Sequence, residues 1–405
     1  MFSVLSRIQR LQFLLIVLAA LLYFSSSSMM LYLPKYVLAL GGNEQQAGWL
    51  MGMSLLPVLL FSPFIGAASD RWGSKPLMLS GLAVYALGTL ALLFVESVGP
   101  LLFFFRFIQG CGHALVFSPM FAAAARIIPP AYRAAGIGYF TVCIQIGNAV
   151  GSYVGDLVLS HWSFSAMFWA SGCSGLFAMV SLLGFRNKHD LMRPEMAETS
   201  IDPRKPALFY GHFVILLMLG GVFGLAMQFM PIFFDFMLHE GWIDEAISNV
   251  YFMTSTLLTV AAVRLFTGSL SDGAYRRVVL SVCHVGLLLA VCALASIRSE
   301  TSALVVSVIF GLSYGLLFPA VNAAIIGLSP VSERGKISGV LTMVYEFGFR
   351  GVPVVLGTVV YQMGYAVMFY AVAASYVLAL CYLLYCQHRD VRYAAEKIPA
   401  PSLQG

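Results

Sequence analysis

Charged residues are scarce in this sequence. Only 10% of its 405 residues are Asp, Glu, Lys or Arg, whereas soluble proteins carry about 25%. Hydrophobic residues make up 60%, which is more apolar surface than a soluble fold could bury. The composition therefore excludes a soluble globular protein and indicates a polytopic membrane protein. Membrane topology accounts for the net charge of +5 better than nucleic acid binding does.

Cysteine pairs and catalytic motifs are also missing. The seven cysteines form no CxxC pair, and nearly all of them lie in apolar runs. This pattern signals neither a disulfide framework nor a metal site, so we expect small core side chains. The sequence contains no P-loop and no HExxH motif, and its one GxSxG match, at 311–315, lies inside an apolar run. These features argue against an ATP-driven pump and against an enzyme. We expect no cofactor and no metal.

Long apolar runs are what the sequence does have. Each is long enough to cross a bilayer as a helix, which takes about 17–25 residues. We therefore predict an all-α polytopic membrane protein with twelve transmembrane helices, numbered here as helices 1 to 12. The runs lie at 12–40, 47–69, 76–95, 100–125, 134–160, 163–185, 210–238, 246–271, 277–297, 301–327, 336–361 and 364–386.

Basic residues predict the orientation of these helices. If the N-terminus is inside, most of the 23 Lys and Arg residues fall in cytoplasmic connections, as the positive-inside rule requires. The outer loops then carry acidic residues such as Glu44, Glu96 and Glu240. We predict that both termini are cytoplasmic and that the protein spans a plasma membrane or a bacterial inner membrane.

One polar connection divides the chain. Residues 186–209 contain three prolines and are expected to form a flexible cytoplasmic linker. The predicted organisation is an N-terminal six-helix bundle at 1–185, the linker, a C-terminal six-helix bundle at 210–388 and a cytoplasmic tail at 389–405. We expect a monomer whose partners are membrane lipid and a small-molecule substrate.

The two halves repeat each other. "IGAASDRWGSKP" after helix 2 recurs as "TGSLSDGAYRRV" after helix 8, which aligns Asp70 with Asp272 at an offset of 202. Helices 4 and 10 continue the register, with Gly110 aligned to Gly311 at an offset of 201. Two pseudo-symmetric bundles of this kind are typical of a transporter whose substrate site lies between them.

The loop after helix 2 resembles the signature G-x-x-x-D-R-x-G-x-K-P of the major facilitator superfamily, and the resemblance extends over nearly the whole chain. It implies two six-helix bundles that expose a central site alternately to the two sides of the membrane. It also implies that this loop gates the cytoplasmic side. The gating residues would be Gly66, Asp70, Arg71, Gly73, Lys75 and, in the second copy, Asp272.

Helix 4 contains "FFFRFIQGCGHA", which is similar to the R-x-x-Q-G-x-G element of the drug:proton antiporter branch of that family. Arg106 and Gln109 occupy the element, and Gln109 is expected to contact the substrate. His113 lies seven residues after Arg106, on the same helix face. An arginine near a titratable group predicts proton coupling. A hydrogen-bonded interhelical histidine is the alternative.

Helix 5 carries a stripe of small residues, Gly147, Gly151 and Gly155, which predicts tight helix packing. The antiporter branch usually has G-P-x-x-G-G near this point. Here Asn148 replaces the proline and Ser152 replaces the second glycine, so the chain departs from the pattern of a typical exporter.

Helix 1 contains no acidic residue, although cation exporters of the family commonly have one there. It carries "SSSS" at 25–28 instead. Serine hydroxyls can bond to their own helix backbone, or they can form a polar wall of a central cavity, where Ser27 would contact substrate.

"YEFGFRG" in helix 11 places two charges deep in an apolar run. Glu346 lies roughly 15 Å from the start of the helix, and Arg350 follows one turn later on the same face. We predict that Glu346 gains and loses a proton and that Arg350 is its partner or a substrate anchor. An internally neutralised ion pair is the alternative. Tyr345, Phe349 and Arg264 are expected to line the substrate cavity.

These features predict a secondary active transporter, not an enzyme. The leading hypothesis is proton-coupled efflux of a drug or metabolite by alternating access, with the proton as coupling ion. The buried arginines suit an anionic or zwitterionic solute. A proton-coupled importer of a sugar or organic acid is the alternative, and a lipid-handling membrane protein is a remote one.

Overall fold

The computed structural model describes residues 6–129, 133–186, 207–266, 276–329 and 334–396. Most of these residues are helical, and no strand occurs within these ranges. Nine helices in them are long and apolar enough to cross a membrane. The all-α polytopic fold is therefore confirmed, whereas the count of twelve spans stays a prediction.

Three helices of the first half begin at recognisable caps. Ser6 and Asn43 each form a capping box with a glutamine three residues later, and the Ser163 side chain accepts from the Ala166 amide. The helices are α1 (Arg7–Met29), α2 (Leu33–Ala39), α3 (Glu44–Met53), α4 (Leu55–Trp72), α5 (Ser74–Leu90), α6 (Pro100–Ile127), α7 (Arg133–His161) and α8 (Phe164–Ser181).

The second half repeats this order with one irregularity, a five-residue π-helical turn at Phe347–Gly351, called here the π-segment. The helices are α9 (Ala207–Gln228), α10 (Met230–His239), α11 (Met253–Phe266), α12 (Arg276–Leu294), α13 (Glu300–Gly327), α14 (Arg334–Glu346), α15 (Val352–Met363) and α16 (Tyr365–Glu396).

Predicted helices 1, 2, 7 and 11 are each broken, and a proline follows every break. Pro34 and Pro231 open α2 and α10, Pro353 opens α15, and Pro57 lies in the first turn of α4. Proline lacks the N–H group that would continue the helical ladder. The prediction of one continuous helix at 47–69 is therefore replaced by α3 and α4, which meet at Ser54.

Glycines let α7 and the π-segment approach their neighbours in equivalent ways. A Cβ atom at Gly147 would lie 2.7 Å from the Leu21 carbonyl oxygen of α1. At Gly348, it would lie 3.0 Å from Cα of Gly220 in α9. Gly147 and Gly348 differ by the same offset of 201 that relates helices 4 and 10. The repeat in the sequence therefore extends to the packing of the backbone.

The two halves close against each other at one end of the bundle. This end, called here the distal end, lies away from the N-terminus of α1. There α3 packs on α15, and a Cβ atom at Gly48 would lie 3.1 Å from Cα of Gly357. The Lys35 ammonium of α2 also bonds to the Asp235 carboxylate of α10, with Nζ 2.8 Å from Oδ1. An ion pair thus joins the halves at this closure.

Candidate functional site

Five side chains form a hydrogen-bonded chain between the two halves. Arg350 donates from Nε to Glu346 Oε2 over 2.6 Å, from Nη1 to Ser54 Oγ over 2.8 Å and from Nη2 to His113 Nε2 over 3.1 Å. His113 Nδ1 lies 2.6 Å from Tyr23 Oη. All five residues are buried, with Glu346 4% and Arg350 8% exposed. We call these five residues the central cluster.

The π-segment positions Arg350 within this cluster. Pro353 has no N–H, so it cannot bond to the carbonyl of Phe349 four residues earlier. Gln228 of α9 donates its amide Nε2 to that carbonyl oxygen over 2.7 Å, which satisfies the acceptor. Gly348 leaves room for α9 to come this close. The local irregularity is therefore held by contacts from a neighbouring helix.

The break between α3 and α4 positions Ser54. Its hydroxyl donates to the Met51 carbonyl over 2.9 Å, so its oxygen is left to accept from Arg350. A Cβ atom at Gly110 of α6 would lie 2.6 Å from the Ser54 carbonyl oxygen. The glycine of the helix 4 element thus allows close contact between α6 and this break.

The donors and acceptors fix the protonation pattern of the cluster. A guanidinium group can only donate, so Nε2 of His113 must accept from Arg350. The neutral imidazole then carries its hydrogen on Nδ1 and donates it to Tyr23 Oη. A second proton, on Nε2, would point at the Arg350 N–H and remove that hydrogen bond. The arrangement therefore fits a charged Glu346 and a neutral His113.

Arg106 lies in a separate polar group. Its Nη1 donates to Gln109 Oε1 over 2.8 Å, and Gln109 Nε2 donates to Thr89 Oγ1 over 3.0 Å. The sequence suggested that Arg106 and His113 act as a pair, but the arginine bonded to His113 is Arg350. Seven residues correspond to roughly 10 Å along a helix, so a shared face does not bring these two side chains into contact.

An aromatic wall lines the second half beside the cluster. The Phe223 and Tyr314 rings are stacked, with centroids 4.5 Å apart and planes 10° apart. The Tyr345 hydroxyl lies 2.9 Å from that of Tyr314, and its ring is nearly parallel to that of Phe349. The guanidinium of Arg264 lies 5.4 Å from the centre of the Phe318 ring. The structure thus brings together the predicted cavity residues of helices 8 and 11.

The predicted gating residues lie at the other end of α4. Gly73 joins α4 to α5 with φ at +83°, a conformation that favours glycine. Lys75 donates from Nζ to the Leu183 carbonyl over 2.7 Å, and Arg71 lies beside the Trp72 ring. The Asp70 side chain and the surroundings of Gly66 are outside what the structure describes.

The remaining predicted residues lie either outside the described ranges or away from the central cluster. Asp272 and most of the linker fall outside the described residues. Ser27 is half-buried in α1. Gly151 and Gly155 face Ser25 and the Tyr32 ring. Within the described ranges, no three His, Cys, Asp or Glu side chains gather as metal ligands would.

Sequence reasoning missed three members of the site. Ser54 and Tyr23 are uncharged, and nothing in their local sequence separates them from other serines and tyrosines of apolar helices. Tyr314 had a usable signal, because the offset of 201 aligns it with His113. Contacts between distant helices depend on how the helices are rotated, which single-helix patterns do not report.

Comparison with solved structures gives the same overall fold. The nucleoside transporter NupG superposes with a TM-score of 0.76 at 13% identity, covering 93% of this chain and 99% of that one. A bacterial homologue of the human lysosomal transporter Spinster gives 0.73 at 15% identity, covering 93% and 97%. At these identities the likeness shows the fold alone.

Curated relatives are similar over most of their length. Multidrug resistance protein 2 of Bacillus subtilis (strain 168) is 24% identical over 319 residues, which is 76% of this chain and 78% of that protein. The multi-drug resistance efflux pump PmrA of Streptococcus pneumoniae is 24% identical over 369 residues, covering 86% and 88%. The family model described as Major Facilitator Superfamily matches residues 15–348 and 241–403. The chain belongs to the Major Facilitator Superfamily.

Proposed function

We propose that this chain is a proton-coupled secondary transporter that exports a small organic solute. The central cluster carries the proposal, because it joins two titratable groups and one permanent cation across the halves of the bundle. The name of one relative, a multi-drug resistance efflux pump, supports the direction. The protein would act as a monomer in a plasma or bacterial inner membrane, with both termini cytoplasmic.

Arg350 is the group that would link proton and solute. In the described state it is neutralised by Glu346 and donates to His113 and Ser54. A proton on Glu346 removes the countercharge, and a proton on His113 removes an acceptor. Either event leaves the guanidinium short of partners in a low-dielectric site, where an anionic group on a solute would stabilise it. Release of the solute favours the return of the original bonds.

Alternating access would require the halves to separate where they now touch. Opening the distal end must break the bond between Lys35 and Asp235 and separate α3 from α15. The loop after α4, with Arg71, Gly73 and Lys75, would latch the opposite end in the other state. By the positive-inside rule the distal end faces outward, so the described arrangement is closed to the outside.

Transport into inside-out vesicles tests the proposal. Vesicles from cells that produce the protein are energised so that their interior is acidic. They are then supplied with ethidium, chloramphenicol or 2-naphthoate as probes. We expect accumulation of at least one probe, its collapse when a protonophore is added, and its loss in Glu346→Gln. Glu96→Gln replaces an exposed carboxylate and serves as the matched control.

Two results would contradict the proposal. One is accumulation in Glu346→Gln that keeps its full size and its dependence on the pH gradient. The other is uptake that occurs only in right-side-out vesicles with an alkaline interior, which would identify a proton-coupled importer.

A further inference from the structure

Positive charge exceeds negative charge in the middle of the described spans. Arg106, Arg264 and Arg350 are guanidinium groups at this depth, whereas Glu346 is the single carboxylate among the residues described there. Glu346 already pairs with Arg350. An uncompensated charge away from bulk water is costly, so the bundle is suited to an anion from outside the chain.

Arg264 has the least support of the three arginines. Its Nε is buried and has no hydrogen-bond partner, and its described contact is the face of the Phe318 ring. The nearby hydroxyls of Tyr314 and Tyr345 bond to each other. One of these hydroxyls donates to the other, so the accepting hydroxyl keeps a hydrogen that can be donated elsewhere. Two kinds of donor are therefore free for an acceptor group.

The partial exposure of Arg264 indicates a watery opening instead of lipid. Arg264, Phe318, Tyr345 and Phe349 are each half-buried. A guanidinium that is partly exposed within a span faces the bundle interior or a watery cavity, because hydrocarbon would not solvate it. The same opening is lined by ring faces, with Tyr345 and Phe349 parallel to within 6°. Such faces stack on other aromatic rings.

A second cation–aromatic pair shows what a satisfied arginine looks like in this chain. Arg298 lies 5.3 Å from the centre of the Trp242 ring, much as Arg264 lies over Phe318. Arg298, however, donates Nη1 to the carbonyl oxygens of Ala295 and Ile297 over 3.0 and 2.7 Å. Ring contact is therefore not what distinguishes Arg264. Arg106 shares the buried, unpartnered Nε but donates Nη1 to Gln109. Arg264 combines an unpartnered Nε with ring contact alone among the described residues.

We propose that the second half binds a planar aromatic anion, with its carboxylate or sulfonate on Arg264 and its ring against Phe318 and Tyr345. This inference rests on the proposed function, since it names the class of solute that the transporter would carry. The second donor to the anion is the free hydroxyl hydrogen of the Tyr314–Tyr345 pair. Among the described residues, Glu346 is the carboxylate within electrostatic reach of this wall. Its charge is already paired with Arg350, so an organic cation would find no free countercharge.

Direct binding measurements separate this proposal from transport. The purified protein in lipid nanodiscs is titrated by calorimetry with 2-naphthoate, with the neutral 2-naphthamide, with the saturated decalin-2-carboxylate and with the cation 2-naphthylmethylammonium. We expect 2-naphthoate to bind at least tenfold more tightly than each of the other three. The neutral amide tests the effect of removing the charge, and the saturated acid tests the effect of removing the aromatic ring.

Variants then locate the site. Arg264→Gln and Phe318→Leu should each weaken 2-naphthoate binding at least tenfold, and Arg264→Lys should restore part of the loss. Arg298→Gln is the matched control, since it removes a cation–aromatic pair elsewhere in the same half, and should leave binding within twofold. Equal affinity for 2-naphthoate and 2-naphthamide in the unaltered protein would overturn the proposal without any variant. Tighter binding of the cation, or unchanged binding in Arg264→Gln, would also overturn it.

The two proposals can fail independently. If 2-naphthoate binds through Arg264 but no probe is moved by a pH gradient, proton-coupled export is wrong and the binding site stands. If a pH gradient drives export of ethidium while 2-naphthoate does not bind, the transport proposal stands and the aromatic-anion site is wrong.

Discussion

His113 in α6 and Tyr314 in α13 occupy the same place in the two repeated halves, yet their surroundings differ. His113 stacks on Phe117, with centroids 5.4 Å apart, and Tyr314 stacks on Phe318, with centroids 5.9 Å apart. The first ring bonds to Arg350, whereas the hydroxyl of the second bonds to Tyr345. Duplication has kept the packing of this helix and given the two copies different chemistry.

The scaffold around both positions is conserved between the halves in the same detail. A Cβ atom at Gly110 would lie 2.6 Å from the Ser54 carbonyl oxygen, and one at Gly311 would lie 2.9 Å from the Thr256 carbonyl oxygen. Ser54 accepts a hydrogen bond from Arg350 in the central cluster, while Thr256 has a buried hydroxyl oxygen without a partner. The central cluster is thus polar and titratable, whereas the aromatic wall carries an unpaired cation, Arg264.

The largest effect is expected when the central cluster loses Arg350. Arg350→Ala leaves Glu346 buried without a partner, which typically costs about 3–5 kcal/mol. We expect no folded, monodisperse protein, or a melting temperature lowered by more than ten degrees, as measured by differential scanning fluorimetry. The double variant Glu346→Gln with Arg350→Gln should recover much of the folding but no proton-driven transport. If Arg350→Ala has the melting temperature of the unaltered protein, the central cluster does not contribute to stability.

Giving equivalent positions of the two halves the same side chain should separate proton coupling from solute binding. His113→Tyr gives the first half the side chain of the second and removes the acceptor Nε2. We expect proton-driven accumulation in vesicles to fall about 100-fold, with 2-naphthoate affinity changed less than threefold. Tyr314→Phe is the reciprocal test and should weaken 2-naphthoate binding while leaving the pH dependence of transport in place. The reverse pattern would show that the aromatic wall couples transport to protons and that the central cluster binds the solute.

Equivalent glycines should respond equally, because the scaffold is shared. Gly147→Ala and Gly348→Ala each place a methyl group against a neighbouring backbone, and such overpacking costs about 1–3 kcal/mol. We expect both variants to lower the melting temperature by a similar amount in thermal-shift measurements. Gly138→Ala, where an added Cβ atom meets nothing within 4 Å, is the control and should be neutral. Unequal losses of melting temperature would show that the repeat does not extend to the packing of the backbone.

The smallest effect is expected at the distal end, where positions 35 and 235 themselves meet. They lie in the corresponding helices α2 and α10, so corresponding segments of the two halves meet here. The side chains are 17% and 44% exposed, so the pair contributes about 0–1 kcal/mol. Lys35→Ala should change the transport rate less than fivefold, and the swap of Lys35→Asp with Asp235→Lys should restore it. A swap that abolishes transport would argue against a simple gate.

Much of the fold could be predicted from the sequence, and part of the site could. Long apolar runs predict helices because a bilayer fixes their length, and i, i+4 spacing predicts the contact between Glu346 and Arg350. The partners of Arg350 in the other half could not be predicted. Ser54 and Tyr23 carry no charge, and their approach depends on how whole helices rotate. Pro57 and Pro353 signal irregularities, but sequence does not distinguish a kink from a π-helical turn.

The π-segment has a consequence for how the two halves came to differ. Its counterpart α7 runs as one α-helix from Arg133 to His161, whereas a π-helical turn holds one residue more than an α-helical turn. Deleting a single residue between Glu346 and Arg350 should therefore restore an α-helical turn and change their spacing from i, i+4 to i, i+3. A duplicated half needs only one added codon to acquire this geometry, so new chemistry can arise without rebuilding the inherited packing.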